Sequence, residues 1–373
     1  RVDVAQRVER DAPGKVGGGV AEVARHVAVR GLVQRDREHD REGPDGQGGD
    51  QRIHRGLGGK PRILQAEGLE RAAPGRRVLL THTSGHMAVV STAVLEELGL
   101  SEHGRDVPGG TIALDGSGRP TGLLQEQAQN LLTPLRRPVA VDEVAHAIAR
   151  ASEVYVRQGI TSVVEAGVGG GWIGRTPVEA LAYQRARDAG RLAVRVELMV
   201  VSPVLHALRC TETDDLGNGI DLGLRTEFGD DRLRLGPVKV FSDGSLIGHT
   251  AAMCSDFSDE PGVRGYLQDD ADALVDTIIS AHRSGWRVAT HAIGDAAIDL
   301  VLDAYERCVR DHPRMGWGGR PGNLAPRHRI EHFGVARPDQ VERAAHLGVV
   351  PVPQGRFVGE IGRVSVFKTA HND

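Results

Sequence analysis

Apolar residues recur with two different spacings along the middle of the chain. From residue 141 to Gly159 they follow the spacing of a helix, and the β-rich run 160–166 comes directly afterwards. The same alternation continues toward the C-terminus. Strands are predicted at 193–201, 234–241, 286–291, 328–332 and 349–354. The helices between them are predicted at 178–187, before Gly285, after a cap at Asp295, and from Pro338 onward. Repeated strand–helix units predict a parallel α/β sheet, either a barrel or a doubly wound fold.

The two ends of the chain lack this pattern. Residues 1–68 contain no Phe, Tyr, Trp or Met and are crowded with Arg, Gly, Asp and Val, which predicts an irregular or disordered leader. An alternative hypothesis is that this stretch is GC-rich DNA translated out of frame. We expect the folded unit at 69–361, a small β-hairpin insert near 109–123, and an irregular tail at 362–373.

Composition narrows the class of protein. The chain has 373 residues, 40% of them hydrophobic, and a formal net charge of −4, so it has no basic field to attract nucleic acid or an anionic membrane. It contains no run of about 18 apolar residues that would span a membrane. Its three cysteines form no CxxC pair, which predicts a cytoplasmic protein without a disulfide framework.

Three residues suited to metal chemistry stand at predicted strand ends. They are Lys239 in PVKVFSDG, His291 in VATHAIGD and His332 in HRIEHFG, each about one strand–helix unit from the next. The carboxyl ends of parallel barrel strands meet at one mouth, where catalytic residues lie. Neutral imidazole is a common metal ligand, so this spacing indicates a metal site.

The lysine leaves several readings open. Burial lowers the pKa of an amine, and a neutral Lys239 could form a Schiff base, or add carbon dioxide and become a carbamate whose oxygens bridge two cations. It could also extend from the barrel rim into solvent without any catalytic role. Borohydride trapping with a carbonyl substrate would distinguish a Schiff-base lyase from the other two readings.

Several longer motifs resemble one family. Between about residues 77 and 358 the chain is similar to the amidohydrolase superfamily, in particular to the subgroup that contains N-substituted formamide deformylases. The motifs that carry the resemblance are SGHMAVVSTAVLEELGL, PTGLLQEQA, GITSVVEAG, VKVFSDGSL, HTAAM, VATHAIGDAAIDLVLDAYE and RHRIEH. This resemblance implies a TIM-type (β/α) barrel and a metal-dependent hydrolase of amide-like or formamide-like C–N bonds.

The resemblance also implies a ligand set. Lys239 would be a carboxylated, bridging lysine, and His291 and His332 would bind the second of two cations. The cation, usually zinc, would polarise a carbonyl and activate a water molecule. Manganese, iron or cobalt would suit the same donors. The expected partner is a small amide-type molecule, and a homo-oligomer is compatible with the sequence.

Five further positions match the family's motifs as candidates for substrate binding. The sequence also allows His82 and His86 to share one helix face, and it allows the carboxylates among the five to act as structural turn or cap residues. His249 stands where many relatives have arginine. The five positions are His86, Glu126, Asp243, His249 and Asp295.

The departures from the family concern its first and eighth strands. The family's first strand ends in an HxH pair that binds the first cation, and no HxH occurs in this sequence. The eighth strand supplies an aspartate that accepts a proton, and the similarity ends before that strand. We therefore expect an incomplete barrel, truncated at both ends, with impaired activity. A non-catalytic remnant is the alternative.

Overall fold

The structure is a computed structural model that describes residues 64–355, except for 83, 137, 171–172, 175, 212–216 and 314–326. The segments 1–63 and 356–373 lie outside the described residues, and so do most of the expected leader and the whole of the expected tail. Within the described part, no helix is long and apolar enough to cross a membrane.

The described elements follow the predicted alternation. The strands are β1 Leu79–Thr81, β2 Met87–Val90, β3 Gly110–Leu114, β4 Pro120–Glu126, β5 Ser162–Val168, β6 Arg195–Val201, β7 His206–Ala207, β8 Asn218–Gly219, β9 Leu233–Phe241, β10 Val288–Ala292, β11 Arg329–His332 and β12 Val350–Val352. The α-helices are α1 Ala66–Ala72, α2 Thr92–Glu97, α3 Val141–Arg157, α4 Glu179–Asp188, α5 Ala271–Arg283, α6 Asp295–Asp311 and α7 Pro338–His346.

Six strands form a parallel sheet in the order β12-β11-β10-β9-β6-β5. The order follows the chain without reversal, whereas a doubly wound sheet reverses its strand order at a switch point. The sheet is therefore a parallel half-barrel, consistent with an incomplete TIM-like barrel, and the predicted α/β class is confirmed.

Four shorter strands form a second, antiparallel sheet in the order β1-β2-β4-β3. Strands β3 and β4 pair around a turn in which one carboxylate oxygen of Asp115 accepts hydrogen bonds from the backbone N–H groups of Ser117 and Arg119. Strands β3 and β4 are two of the four strands of this antiparallel sheet. Helix α1, which begins at Ala66, packs against β2 and β4 of this sheet.

The main core lies between one face of the parallel sheet and its helices. Along β10 the side chains alternate, as they must in a strand. Val288, Thr290 and Ala292 face the helices, and His291 faces the opposite side, toward Gly244 and His86. The hydroxyl of Tyr305 on α6 bonds the Thr290 hydroxyl at 2.8 Å and donates to the Arg329 carbonyl at 2.8 Å. One buried phenol thus joins α6 to two adjacent strands.

The start of α6 differs from the sequence expectation. Asp295 was expected to cap this helix, but it is the first helical residue, and the capping position is held by Gly294. A Cβ at Gly294 would lie 1.9 Å from the carbonyl oxygen of Ala252, so only glycine fits there. The Asp295 carboxylate instead accepts the backbone N–H of Cys254 at 2.8 Å.

Replacing Tyr305 by Phe should lower the free energy of unfolding by about 1–3 kcal/mol, because Thr290 and the Arg329 carbonyl would lose a buried partner. Urea denaturation of wild type and variant measures the difference. Tyr155→Phe on α3 is the matched control, since this residue is 37% exposed and the same change there should cost little. Equal losses in both variants would contradict this role of Tyr305.

Candidate metal centre

The parallel register brings three predicted ligands to one end of the sheet. Lys239 is paired with Ala289 across β9 and β10, and His291 is paired with Phe241 on one side and Glu331 on the other. His332 is the last residue of β11. The rings of His291 and His332 lie 4.5 Å apart between centroids and meet edge to face. All three residues thus lie near the carboxyl ends of neighbouring strands.

His291 is fully buried, and one of its nitrogens has a fixed role. Its Nε2–H donates to the carbonyl oxygen of Gly244 at 2.8 Å, which leaves the lone pair on Nδ1. Nδ1 is buried without a hydrogen-bond partner among the described residues. Burial, followed by the neighbouring His332 and Lys239, holds the pKa of His291 well below its usual range. The ring is therefore neutral and can act as a ligand.

His332 is oriented in a similar way. Its Nδ1–H donates to the side-chain oxygen of Gln354 at 2.6 Å, so the lone pair lies on Nε2. Burial and then the charge of Lys239 lower the pKa of His332 to about 4. Its φ of 73° lies in the left-handed region, which costs a non-glycine residue about 1–3 kcal/mol and occurs most often at functional sites.

Lys239 is almost completely buried beside an aromatic ring. Its Nζ lies 4.4 Å from the centroid of the Phe241 ring. Burial lowers the pKa of Lys239 to about 8, although the nearby Glu331 carboxylate acts in the opposite direction. At neutral pH the amine is therefore far more often unprotonated than that of an exposed lysine.

These donors suit a divalent cation. Two neutral imidazoles each use one nitrogen in a hydrogen bond to an oxygen and keep a lone pair on the other, which is the usual arrangement of histidines that bind metal. A buried His291 Nδ1 without a partner is a rare feature in a protein interior, and a cation would satisfy it.

Asp243 supports this end of the sheet through backbone contacts. Its two carboxylate oxygens accept N–H groups from Ala252, Ile293 and Gly294 at 2.8–3.1 Å. Burial raises the pKa of Asp243 to about 7, and these three bonds act against that rise. Oδ1 also lies 3.4 Å from Nε2 of His291. The carboxylate therefore fixes the loop that follows β10 and contacts the same ring that Gly244 orients.

The antiparallel sheet contributes a second histidine–carboxylate pair. His86 lies between β1 and β2, and not on a helix, so the helical reading of His82 and His86 is wrong because Gly85 allows a turn there. The Nδ1–H of His86 donates to the carboxylate of Glu126 at 2.7 Å. The His86 ring lies 5.3 Å from the His291 ring, so this pair borders the candidate centre.

Two residues that the sequence did not single out hold Glu126 in place. Thr250 donates its hydroxyl to the carboxylate at 2.7 Å, and Gln268 donates its side-chain N–H at 3.0 Å. Glu126 is fully buried and has a φ of 50°, in the left-handed region. Thr250 belongs to the HTAAM motif, which could have indicated it as a residue of the site. No sequence pattern marks Gln268.

The other two predicted positions have different surroundings. His249 stacks on Phe257 and pairs with the carboxylates of Asp259 and Glu260 at 3.3 and 2.6 Å. The Asp295 carboxylate pairs with Arg337 at 3.3 Å, beside the helix start described above. These partners lie on the loop that follows β9 and at the residue just before α7, so both His249 and Asp295 make structural contacts with neighbouring segments.

A parallel half-barrel with imidazole and amine groups at its carboxyl-terminal strand ends is the arrangement in which barrel enzymes carry their catalytic residues. Sequence comparison gives the family. The chain belongs to the amidohydrolase family, whose model matches residues 60–365.

The relatives are longer than this chain. It is 32% identical over 299 residues to the putative amidohydrolase YtcJ of Bacillus subtilis (strain 168), covering 80% of this chain and 51% of the relative. It is 28% identical to an N-substituted formamide deformylase of Arthrobacter pascens, and the match covers 75% of this chain and 48% of that relative. The crystal structure of an uncharacterized metal-dependent hydrolase from Pyrococcus horikoshii OT3 aligns with a TM-score of 0.52 at 26% identity. The alignment covers 79% of this chain and 51% of that protein. The chain thus spans about half the length of these proteins.

Removing the Glu126 carboxylate should destabilise the protein more than neutralising it. In Glu126→Ala the donors from His86 and Gln268 would lose a buried acceptor, which costs about 1–3 kcal/mol for each. In Glu126→Gln the amide oxygen can still accept from them, because the Thr250 hydroxyl can rotate to accept the new N–H. Urea denaturation compares the two variants. An Ala variant as stable as the Gln variant would contradict this account.

The metal-free protein should lose stability as pH falls from 6.5 to 5. An unfolded histidine takes up its proton near pH 6.5, whereas His332 does so only near pH 4, so acid favours the unfolded chain by up to about 2 kcal/mol over this range. His332→Gln should weaken the dependence of the unfolding free energy on pH, whereas His346→Gln, at an exposed position, should leave it unchanged. The unfolding free energy at several pH values tests it; equal slopes in all three proteins would count against the buried, neutral His332.

Proposed function

We propose that this chain contains the binding site for the second of the two cations of a hydrolase. The hydrolase would cleave amide-like or formamide-like C–N bonds, and Lys239, His291 and His332 would be the ligands of that cation. The observation that carries the proposal is the buried Nδ1 of His291, which has no partner among the described residues and lies beside the His332 ring. Family membership and the metal-dependent hydrolase from Pyrococcus horikoshii support the same reaction class.

The protein's own groups would hold and orient the ligands. The Gly244 carbonyl keeps the His291 proton on Nε2, and the Gln354 amide oxygen keeps the His332 proton on Nδ1, so each ring presents one lone pair. A bound divalent cation, which we propose to be zinc, would supply Lewis acidity toward a carbonyl and a lower pKa for water.

Lys239 would take part as a carbamate. The neutral amine adds carbon dioxide and releases one proton, which converts it into an anionic oxygen ligand; the protonated amine must first lose a further proton. A pKa of about 8 leaves roughly a tenth of the amine neutral at pH 7, compared with well below a thousandth for an ordinary lysine. Burial next to Phe241 therefore favours the reaction that makes Lys239 a ligand.

The substrate would be a small amide-type molecule. His86 and Glu126, from the antiparallel sheet, border the histidine rings and would line its binding site. The relative named as an N-substituted formamide deformylase supports formamide-like compounds as the substrate class. Asp243, His249 and Asp295 would act mainly by fixing the surrounding loops, given their backbone and ion-pair contacts.

Turnover by this 373-residue chain should be weak. The resemblance assigns the first cation to an HxH pair, and the sequence contains none. We therefore propose binding of a single cation with low activity. Robust amidase activity in the purified chain would overturn this part of the proposal.

The first experiment is metal content per chain after purification without chelator, for wild type and His291→Ala. We expect about one zinc in the wild type and a clear loss in the variant, because an N-donor of the centre is removed. His346→Ala is the control, since that ring is exposed on α7. Metal that persists in His291→Ala and falls in His346→Ala would sink the assignment.

The Schiff-base alternative rests on the same buried lysine. Borohydride reduction in the presence of a small aldehyde would trap a covalent adduct at Lys239 if that amine is the nucleophile of a lyase. Mass spectrometry of wild type and Lys239→Ala detects it. An adduct confined to Lys239, together with no metal in the wild type, would replace the hydrolase proposal by the lyase.

A further inference from the structure

The peptide group between Gly244 and Ser245 joins His291 to a buried carboxylate. Its carbonyl oxygen accepts the Nε2–H of His291 at 2.8 Å, and its N–H donates to the hydroxyl oxygen of Thr250, also at 2.8 Å. The Thr250 hydroxyl then donates to Oε1 of Glu126 at 2.7 Å. These bonds form a continuous relay from the histidine ring, through one peptide group and one hydroxyl, to the carboxylate.

Every hydrogen in the relay points away from the ring of His291 and toward Glu126. Hydrogen bonds that run in one direction polarise one another, so each bond strengthens the next. The negative charge of Glu126 makes the Thr250 oxygen a better acceptor, which polarises the peptide group and makes the Gly244 carbonyl oxygen a better acceptor in turn. The effect reaches the lone pair on Nδ1 of His291, which has no hydrogen-bond partner among the described residues.

Close packing keeps water out of the relay. Glu126, Thr250 and His291 are fully or almost fully buried. A Cβ at Gly244 would lie 2.2 Å from the Thr250 hydroxyl oxygen and 2.6 Å from Oε1 of Glu126, so only glycine fits between them and the ring. In such an interior the field of a carboxylate is screened much less than in water.

Asp243 is the other carboxylate near this ring, but it is not the acceptor of the ring proton. Its Oδ1 lies 3.4 Å from Nε2 of His291, compared with 2.8 Å for the Gly244 carbonyl oxygen. Both oxygens of Asp243 already accept backbone N–H groups. The proton of His291 is therefore bonded to Gly244, and the relay acts on that bond.

We propose that Thr250 and Glu126 are positioning residues, which hold and polarise His291 as a ligand of the proposed cation. A histidine that binds metal usually donates its other N–H to a carboxylate or a backbone carbonyl, and loss of such a partner weakens metal binding by about 10–100-fold. In this chain the partner is a carbonyl that a distant carboxylate supports. The inference rests on the proposed function, because it requires His291 to bind the cation.

The first test is the affinity of the full-length chain for Zn²⁺, measured by competition with a chromophoric chelator. Thr250→Val removes the hydroxyl and should weaken zinc binding about tenfold, since the carboxylate acts through intervening groups. Thr250→Ser keeps the hydroxyl and should bind zinc as the wild type does. Thr290→Val is the matched control: it removes a buried hydroxyl beside His291 in the chain, but on the helix side of the sheet, and should leave the affinity unchanged.

Glu126→Gln separates the charge of the relay from its packing. The variant should keep its stability, because the Thr250 hydroxyl can rotate to accept the new amide N–H. The relay would then lose its anion and its direction, so zinc binding should weaken about as much as in Thr250→Val. A purely structural role of Glu126 predicts the opposite result, a stable variant with the zinc affinity of the wild type.

The metal-free protein gives a second measurement, which does not require zinc. In chain labelled with nitrogen-15 histidine, the Nε2 proton of His291 should shift upfield in Thr250→Val and Glu126→Gln, because a weaker acceptor lengthens its hydrogen bond. The proton should keep its wild-type shift in Thr250→Ser and Thr290→Val. An unchanged shift in all these variants would overturn the relay.

The two measurements separate this inference from the proposed function. If zinc binding requires His291 but is the same in wild type, Thr250→Val and Glu126→Gln, the inference fails and the proposed centre stands. If the wild type binds zinc no better than His291→Ala, the proposed centre fails and the positioning role fails with it. Weaker zinc binding in Thr250→Val and Glu126→Gln, with wild-type binding in Thr250→Ser and Thr290→Val, is the expected result.

Discussion

The register of the parallel sheet is the constraint on which the candidate centre depends. Because β9, β10 and β11 pair in parallel, Lys239, His291 and His332 reach the same end of the sheet, and the alternation of side chains puts His291 opposite the helix layer. The helix side holds the strands in place through residues such as Ile298 and Tyr305. The chemistry and the packing thus use opposite faces of the same short strands.

Burial then sets the protonation states that the centre needs. It lowers the pKa of both histidines and of Lys239, which favours neutral donors, and it raises the pKa of Asp243. A site with neutral imidazoles and a partly neutral amine has lone pairs to offer a cation. The same residues in water would be more often protonated and would bind metal less well.

The sequence predicted the parallel units well, because each has a clear period. The strand expected at 286–291 is observed as Val288–Ala292, and the helix expected at 178–187 as Glu179–Asp188. The antiparallel sheet was mostly missed because its strands are short, and β2 is buried at every position, which leaves no alternation to read. Asp295 looked like a helix cap by residue type, but close packing reserves that position for Gly294.

The candidate centre was predictable only in its strand-end residues. Spacing along the chain indicated Lys239, His291 and His332, since each follows one repeat of the fold. Gln354 and Gln268 lie outside the helices and strands and act through contacts with distant residues, so no local pattern marks them. The backbone strain at Glu126 and His332 is equally invisible in a sequence, because it arises from tertiary packing.

The bonds around Glu126 have a consequence for the order of folding. Its contacts with Thr250 and Gln268 join residues 124 and 142 positions apart, whereas each strand–helix unit is built from local contacts. Closing such long loops is entropically costly until the sheets exist, so these bonds are expected to form late. A chain that has just built its two sheets would still lack an ordered pocket, and its chemistry would be among the last properties to mature.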